Sequence, residues 1–184
     1  MKELSLNILD IAQNSVVAGA SCLTIGIRER DGLLTLSMAD DGHGMDAELL
    51  AKATDPFTTT RSTRKIGMGL PLLRLAAEQT GGELQITSTP KGAGEAHGTW
   101  LAACFYTTHV DCMPLGDMVE TLLTLVSGSP DMDLVFTHER DGRMVELDTR
   151  QMREMLGEVP LNEPEVLAWA REMLTESYSK LPMP

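Results

Sequence analysis

Apolar and polar positions alternate along the chain in helix-like and strand-like stretches. Residues 5–18 place Leu6, Leu9, Ile11, Ala12 and Val16 on one helical side, with Ser5 as the expected N-cap. SCLTIGIRE, from residue 21, alternates with period two; Asp31-Gly32 then supplies a two-residue turn and LLTLSMA returns as a second strand. Asp46 is placed to cap a short helix over residues 47–53. Residues 54–66 have no apolar period and are rich in Thr, Ser and Arg, so they read as a loop. Residues 68–80 read as a helix that stops at Gly81-Gly82, and ELQITSTP and GTWLAACFY follow as two strands.

Beyond residue 107 the pattern changes. Pro114 is expected to open a helix with an apolar stripe at Leu115, Met118, Val119, Leu122, Leu123 and Val126. DLVFTHE, the turn Asp141-Gly142 and MVELD describe a hairpin, followed by a short helix at residues 149–156. A last helix starts at Asn162, where Glu165 gives capping-box spacing, and carries Val166, Trp169, Ala170, Met173 and Leu174 on one side. The expected division is residues 1–106 as one domain and 107–184 as an extension, either packed on the first section or standing as a small satellite.

Charge sharpens this division. The chain has 184 residues and a net charge of −12. Residues 1–106 contribute −3 and residues 107–184 contribute −9. An acidic section repels polyanions, which argues against a nucleic acid or an anionic membrane as partner. No apolar run approaches the roughly 20 residues a membrane span needs. The N-terminus also lacks a signal-peptide core. Cys22, Cys104 and Cys112 form no CxxC pair; Cys22 and Cys104 read as small buried hydrophobes, and a reducing cytoplasm is the expected setting. Aromatics are only 4% of residues, so aliphatics and 12 Met must fill the core, and the Met stripe of the tail reads as core or interface packing.

Four blocks could carry chemistry. In LDIAQNSVVAGAS (residues 9–21), Asp10 and Asn14 project from one helical face. An amide oxygen suits Mg²⁺, and a carboxylate one turn away can orient a water or take a proton from an attacking hydroxyl. In ADDGHGM (residues 39–45), Gly42 and Gly44 let backbone approach a flat ligand, and a carboxylate can accept from the amino group of adenine. DPFTTTR (residues 55–61) brings Phe57, hydroxyls and Arg61, with Arg64 and Lys65 following as phosphate-neutralising cations. GMGLPLLRLAAEQTGG (residues 67–82) opens a helix whose first amides favour an anion. No GK[ST] follows these glycines, so the block is not a Walker-type loop. Singly, each block also describes an ordinary solvent-facing helix or turn; their order carries the reading. His138-Glu139 has the look of a phosphoacceptor pair but falls in an alternating strand, and Trp100 reads as a packing residue.

Together the blocks resemble the ATP-binding domain of the gyrase, heat-shock chaperone, histidine kinase and mismatch-repair ATPases, the GHKL superfamily, over residues 1–106. The resemblance implies a Bergerat-type fold: an α+β two-layer sandwich with a mixed sheet and helices on one face, here with a small α/β C-terminal extension. It implies ATP and Mg²⁺ as cofactors, with Asn14 on the metal and Asp10, in place of the usual Glu, as the catalytic carboxylate. It further implies that Asp40 contacts adenine, that Gly42, Gly44 and Thr99 shape its pocket, and that residues 58–66 form a lid. Phe57, Arg61, Lys65, Gly67, Gly69 and Leu70 complete the implied nucleotide contacts. Only nine residues precede Asp10, where a sensor kinase carries its phosphoacceptor helices. After residue 106 the only lysine is Lys180, so a gyrase-type transducer lysine is also missing. The reading is therefore a stand-alone phosphotransferase or ATPase, similar to anti-sigma-factor serine kinases, acting on or with a separate protein. The alternative is a nucleotide-gated interaction module with negligible turnover, docking through its acidic tail. Homodimerisation is left open.

Overall fold

A computed structural model describes residues 3–53, 68–93 and 96–182. The elements, in chain order, are α1 (Leu4–Val17), β1 (Cys22–Arg30), β2 (Leu33–Asp40), α2 (Ala47–Ala53), α3 (Gly69–Gln79), β3 (Leu84–Thr89), β4 (Gly98–Tyr106), α4 (Met118–Gly128), β5 (Asp133–Arg140), β6 (Arg143–Asp148), α5 (Thr149–Leu156) and α6 (Pro164–Ser179). Among the described residues one sheet forms, in the order β3-β4-β2-β1-β5-β6. β1 and β5 run parallel and every other neighbouring pair antiparallel. This is the mixed-sheet α+β architecture expected above.

The period-two patterns set the faces of the sheet. Leu23, Ile25 and Ile27 of β1, Leu36 of β2, Leu101 and Phe105 of β4 and Phe136 of β5 point into one core with Ile8, Leu73, Leu122 and Leu174 of the helices. The two hairpin turns have the backbone their sequences call for. Asp31 and Gly32 take φ of 52° and 76°, and Asp141 and Gly142 take 50° and 75°, the left-handed pair of a two-residue hairpin. Among the described residues the opposite face of the sheet is open. Thr24, Arg28 and Tyr106 are exposed there, and Trp100 is 41% exposed instead of packed. Cys22 and Cys104, expected to be buried, are half-exposed on this same face. Alternation tells which residues share a face but not which face the helices cover.

Three helix starts differ from expectation. α1 begins at Leu4, with Glu3 rather than Ser5 as N-cap. The carbonyls of Pro114 and Leu115 accept from the amides of Leu4 and Ser5, so a later segment of the chain holds the helix start. The buried side of α1 is accordingly Leu4, Ile8, Ile11, Ala12 and Ser15, while Leu6 is exposed. α4 starts at Met118, not Pro114, because the Asp117 side chain accepts from the Glu120 amide at 2.9 Å. α6 starts at Pro164 after Glu163, and no side chain caps it, so the Asn162–Glu165 capping box does not form.

The section after residue 107 continues the same sheet. β5 pairs with β1 from Cys22–Asp133 to Glu29–Arg140, α4 packs on α1, and α6 packs on α4. The tail methionines divide: Met118 and Met152 are buried, whereas Met155 is exposed. Among the described residues no helix is long and apolar enough to cross a membrane.

Candidate functional site

The C-terminal half of α1 runs past the end of β2, and this crossing fixes Asp40. Ser15, buried on α1, donates its hydroxyl to Asp40 Oδ2 at 2.7 Å. Asp40 Oδ1 accepts from the Gly42 amide at 3.0 Å and the Thr99 amide at 3.3 Å. The carboxylate is therefore held by α1, by the glycine turn and by β4. Thr99 Oγ1 lies 2.9 Å from Ser88 Oγ on β3, and that hydroxyl also accepts from the Met45 amide at 2.8 Å.

Close approach explains the glycines of the turn. A Cβ on Gly42 would stand 2.8 Å from Ala18 Cβ. Gly44 has φ of +64°, and a Cβ there would stand 2.0 Å from the Thr89 carbonyl oxygen. The turn is clamped between the end of α1 and the β3–β4 hairpin. The amide of His43 donates to Ala18 O at 3.0 Å and that of Lys91 to His43 O at 2.8 Å, while His97 Nδ1 donates to Gly42 O at 2.7 Å. The neighbouring Asp41 serves the fold. Its Oδ1 accepts from the amides of Ser21 at 2.7 Å and Cys22 at 2.9 Å. Burial pushes its carboxyl up, but bonds from the Ser21 hydroxyl and these amides outweigh that and hold it below the usual range.

A second cluster forms where α1 meets the amino end of α3. A Cβ on Gly69, the first residue of α3, would lie 2.8 Å from Asp10 Oδ2 and 3.2 Å from Ile11 Cγ1. The Asp10 carboxylate thus stands at the start of a helix whose N-cap, Met68, makes no side-chain hydrogen bond. Unsatisfied amides and the positive dipole end make such a helix start attractive to anions. Asn14 lies one turn along α1, half-buried, between Asp10 and the Ser15–Asp40 bond, and its side-chain amide has no hydrogen bond among the described residues. Leu70 buries its side chain in the core, leaving its backbone to meet any ligand. Asp10, Asn14 and Gly69 therefore share one junction, and Asp40, Gly42, Gly44 and Thr99 share a second, both reached from α1. Phe57, Arg61, Lys65 and Gly67 lie outside the described residues.

Sequence reasoning did not single out Ser15, Ser88 or His97, whose bonds shape the turn. Ser15 carried a faint signal, as a hydroxyl on the helix side that continues Ile8, Ile11 and Ala12. The other two act across strands and leave no local pattern. His138 is accounted for structurally. It is buried, with Nε2 at 2.8 Å from Glu29 Oε1 and Nδ1 at 3.2 Å from the Tyr178 hydroxyl, and Arg140 also bonds Glu29. These groups tie β1, β5 and α6 together at the far end of β1 from Asp40.

Comparison with known proteins bears on the family and the fold. Residues 1–107 fit the family model described as histidine kinase-, DNA gyrase B-, and HSP90-like ATPase. The chain is 34% identical over 95 residues to the sensor histidine kinase ZraS of Klebsiella oxytoca, covering 50% of this chain and 20% of that protein. It is 27% identical over 93 residues to a putative sensor histidine kinase NtrY-like of Rickettsia bellii, covering 50% of this chain and 15% of that protein. The chain thus spans a small part of these sensor kinases. Among solved structures, the Aquifex aeolicus MutL ATPase domain complexed with ADP superimposes with a TM-score of 0.53 at 10% identity, covering 94% of this chain and 88% of that one. With a family model spanning more than half its length, the chain belongs to the histidine kinase-, DNA gyrase B- and HSP90-like ATPases.

Proposed function

We propose that this protein binds Mg-ATP between α1, the glycine turn and the start of α3, and acts as a phosphotransferase or ATPase on or with a separate protein. The observation that carries this is the Asp10 carboxylate at the start of α3, which no side chain caps among the described residues, one helical turn from the Asn14 amide, which has no partner among the described residues. In this reading Asp40 accepts from the adenine amino group, with Thr99 beside it. The amides at Gly69 and Leu70 receive phosphate oxygens, and Arg61 and Lys65 neutralise the terminal charge, with Phe57 and Gly67 completing the nucleotide contacts.

The residues present suit magnesium. Asn14 offers a hard oxygen, and a phosphate-bound Mg²⁺ that keeps several waters needs few protein ligands. When bound, the ion would neutralise charge on the phosphates. Asp10 would take the proton of the attacking hydroxyl or water, and the dipole of α3 would stabilise negative charge developing nearby. Residues 1–106 would form the nucleotide unit and residues 107–184 an extension that transmits or recruits. Three free, half-exposed cysteines suit a reducing cytoplasm.

Incubation with γ-labelled ATP, with and without host lysate, tests the turnover. Labelled partner or released phosphate that disappears in Asp10→Asn, while ADP affinity stays within about threefold, supports the reading. Unchanged label in Asp10→Asn contradicts it. A second reading, a nucleotide-gated module with negligible turnover, is favoured by the short reach of Asp10, whose Oδ2 already lies against Gly69. Tight nucleotide binding with no phosphate release in either assay would select it.

A further inference from the structure

We propose that the outer edge of β6, with the cleft beside it, is a docking site for an extended basic segment of another protein, which adds to the sheet as a further strand.

Among the described residues β6 pairs with β5 and with no other strand. In a two-residue hairpin the closing residues, here Arg140 and Arg143, exchange both backbone bonds, and the pattern then alternates. Val145 and Leu147 therefore spend their amides and carbonyls on β5. Those of Met144 and Glu146 point outward, as donors and acceptors for a new strand. Beside this edge lies a cleft of about 270 Å³ bounded by β5, β6, α5 and α6, with Met155, Trp169 and Met173 among its walls. Met155 is 69% exposed and Trp169 42%, so the cleft offers uncovered apolar surface next to unpaired backbone. An added strand would alternate its side chains, and those on the helix side would fall beside Val145 and Leu147 and reach Trp169. Backbone pairing with alternate side chains in pockets is how strand addition obtains affinity and specificity together.

Charge selects the occupant. Glu146 lies on the edge itself, Glu154 and Glu158 on or after α5, and Glu165 and Glu172 sit four before and three after Trp169 on α6. All five are exposed, and none forms an ion pair with a described residue. Arg150, Arg153 and Arg171 are engaged with Asp148, Asp133 and Glu120, and Arg143, at the hairpin end of β6, donates to the Lys180 carbonyl. A second copy of this chain would bring acidic rim against acidic rim, whereas a basic segment with apolar alternate residues complements both features.

The test uses a capped ten-residue peptide of alternating Lys and Val, titrated without nucleotide into the Trp100→Phe protein, so that emission reports Trp169 alone and the outcome does not depend on the ATP reading. Saturable binding with a blue shift of Trp169 is expected. Methylation of every second peptide amide, along the edge that faces β6, should weaken binding at least tenfold. Glu146→Pro, which removes an outward amide that the sheet does not use, should do the same while far-UV circular dichroism is unchanged. The proposal is overturned if the Glu146→Pro protein binds equally well, if the methylated peptide binds equally well, or if nothing binds at millimolar peptide. It is also overturned if the chain self-associates in a way that Glu146→Pro abolishes, since the edge would then serve a second copy.

Discussion

The Ser15 hydroxyl donates to Asp40 Oδ2 at 2.7 Å, joining a helix to the strand end that carries the expected adenine contact. Ser15→Ala removes one of three bonds that orient the carboxylate, and the loss should be felt by the ligand more than by the fold. Removing a hydrogen bond to a charged group costs about 1.5–3 kcal/mol, part of which solvent recovers at this half-buried carboxylate. ADP affinity, measured by titration calorimetry, should fall about fivefold to twentyfold, with inosine diphosphate, which lacks the amino group, affected less.

Gly44 and Gly142 both have positive φ, of +64° and +75°, yet they differ in their surroundings. A Cβ on Gly44 meets the Thr89 carbonyl at 2.0 Å, and one on Gly142 meets nothing within 4 Å. Gly142→Ala should cost about 1 kcal/mol, the strain of the backbone alone. Gly44→Ala should cost at least about 3 kcal/mol, because backbone must move as well. Urea unfolding of the two variants checks this order.

Much of the sheet was legible because its patterns are local. Alternation in LTIGIRE and LTLSMA, with Asp-Gly between, named the first hairpin, and the same device named the β5–β6 hairpin. Long-range effects were not legible. The parallel pairing of β1 with β5 joins segments more than a hundred residues apart and has no local signature, so the tail could not be told from a satellite. The start of α1 depends on the carbonyls of Pro114 and Leu115, which no capping rule sees. At the candidate site, Asp10, Asn14 and Asp40 were singled out from motif order. Ser15, which bonds Asp40, and Ser88 and His97, which bond Thr99 and the Gly42 carbonyl, act through contacts across the fold. Small residues such as Cys22 and Cys104 fit either face of a sheet, and the covered face was decided by the helices.

Continuity of the sheet across residue 107 predicts a single cooperative unit. Trp100 lies on β4 and Trp169 on α6, at opposite sides of the molecule's strand order. The single-tryptophan variants Trp169→Phe and Trp100→Phe should therefore unfold with coincident midpoints in urea. Separate transitions would show that the two sections melt independently.

Acid should weaken the fold through Glu29. Burial pushes its carboxyl up, but hydrogen bonds from His138 and Arg140 outweigh burial and hold it below its ordinary value of 4.5. A carboxyl depressed in the folded state contributes stability that is complete above the unfolded value. That contribution is lost as pH falls through the folded value, below 4.5. Unfolding free energy should thus drop on going from pH 5 to about pH 3, and Glu29→Gln, though less stable at neutral pH, should show a shallower acid slope. Equal slopes in the two proteins would remove Glu29 from this role.

The central claim is that Asp40, held by Ser15, Gly42 and Thr99, marks a purine nucleotide site. Titration calorimetry of wild type and Asp40→Ala with ATP in the presence of Mg²⁺ tests it most directly. The account predicts micromolar binding by the wild type and at least a tenfold loss in the variant, about 1.4 kcal/mol or more. Equal affinity in both proteins, or no binding by either, would contradict it.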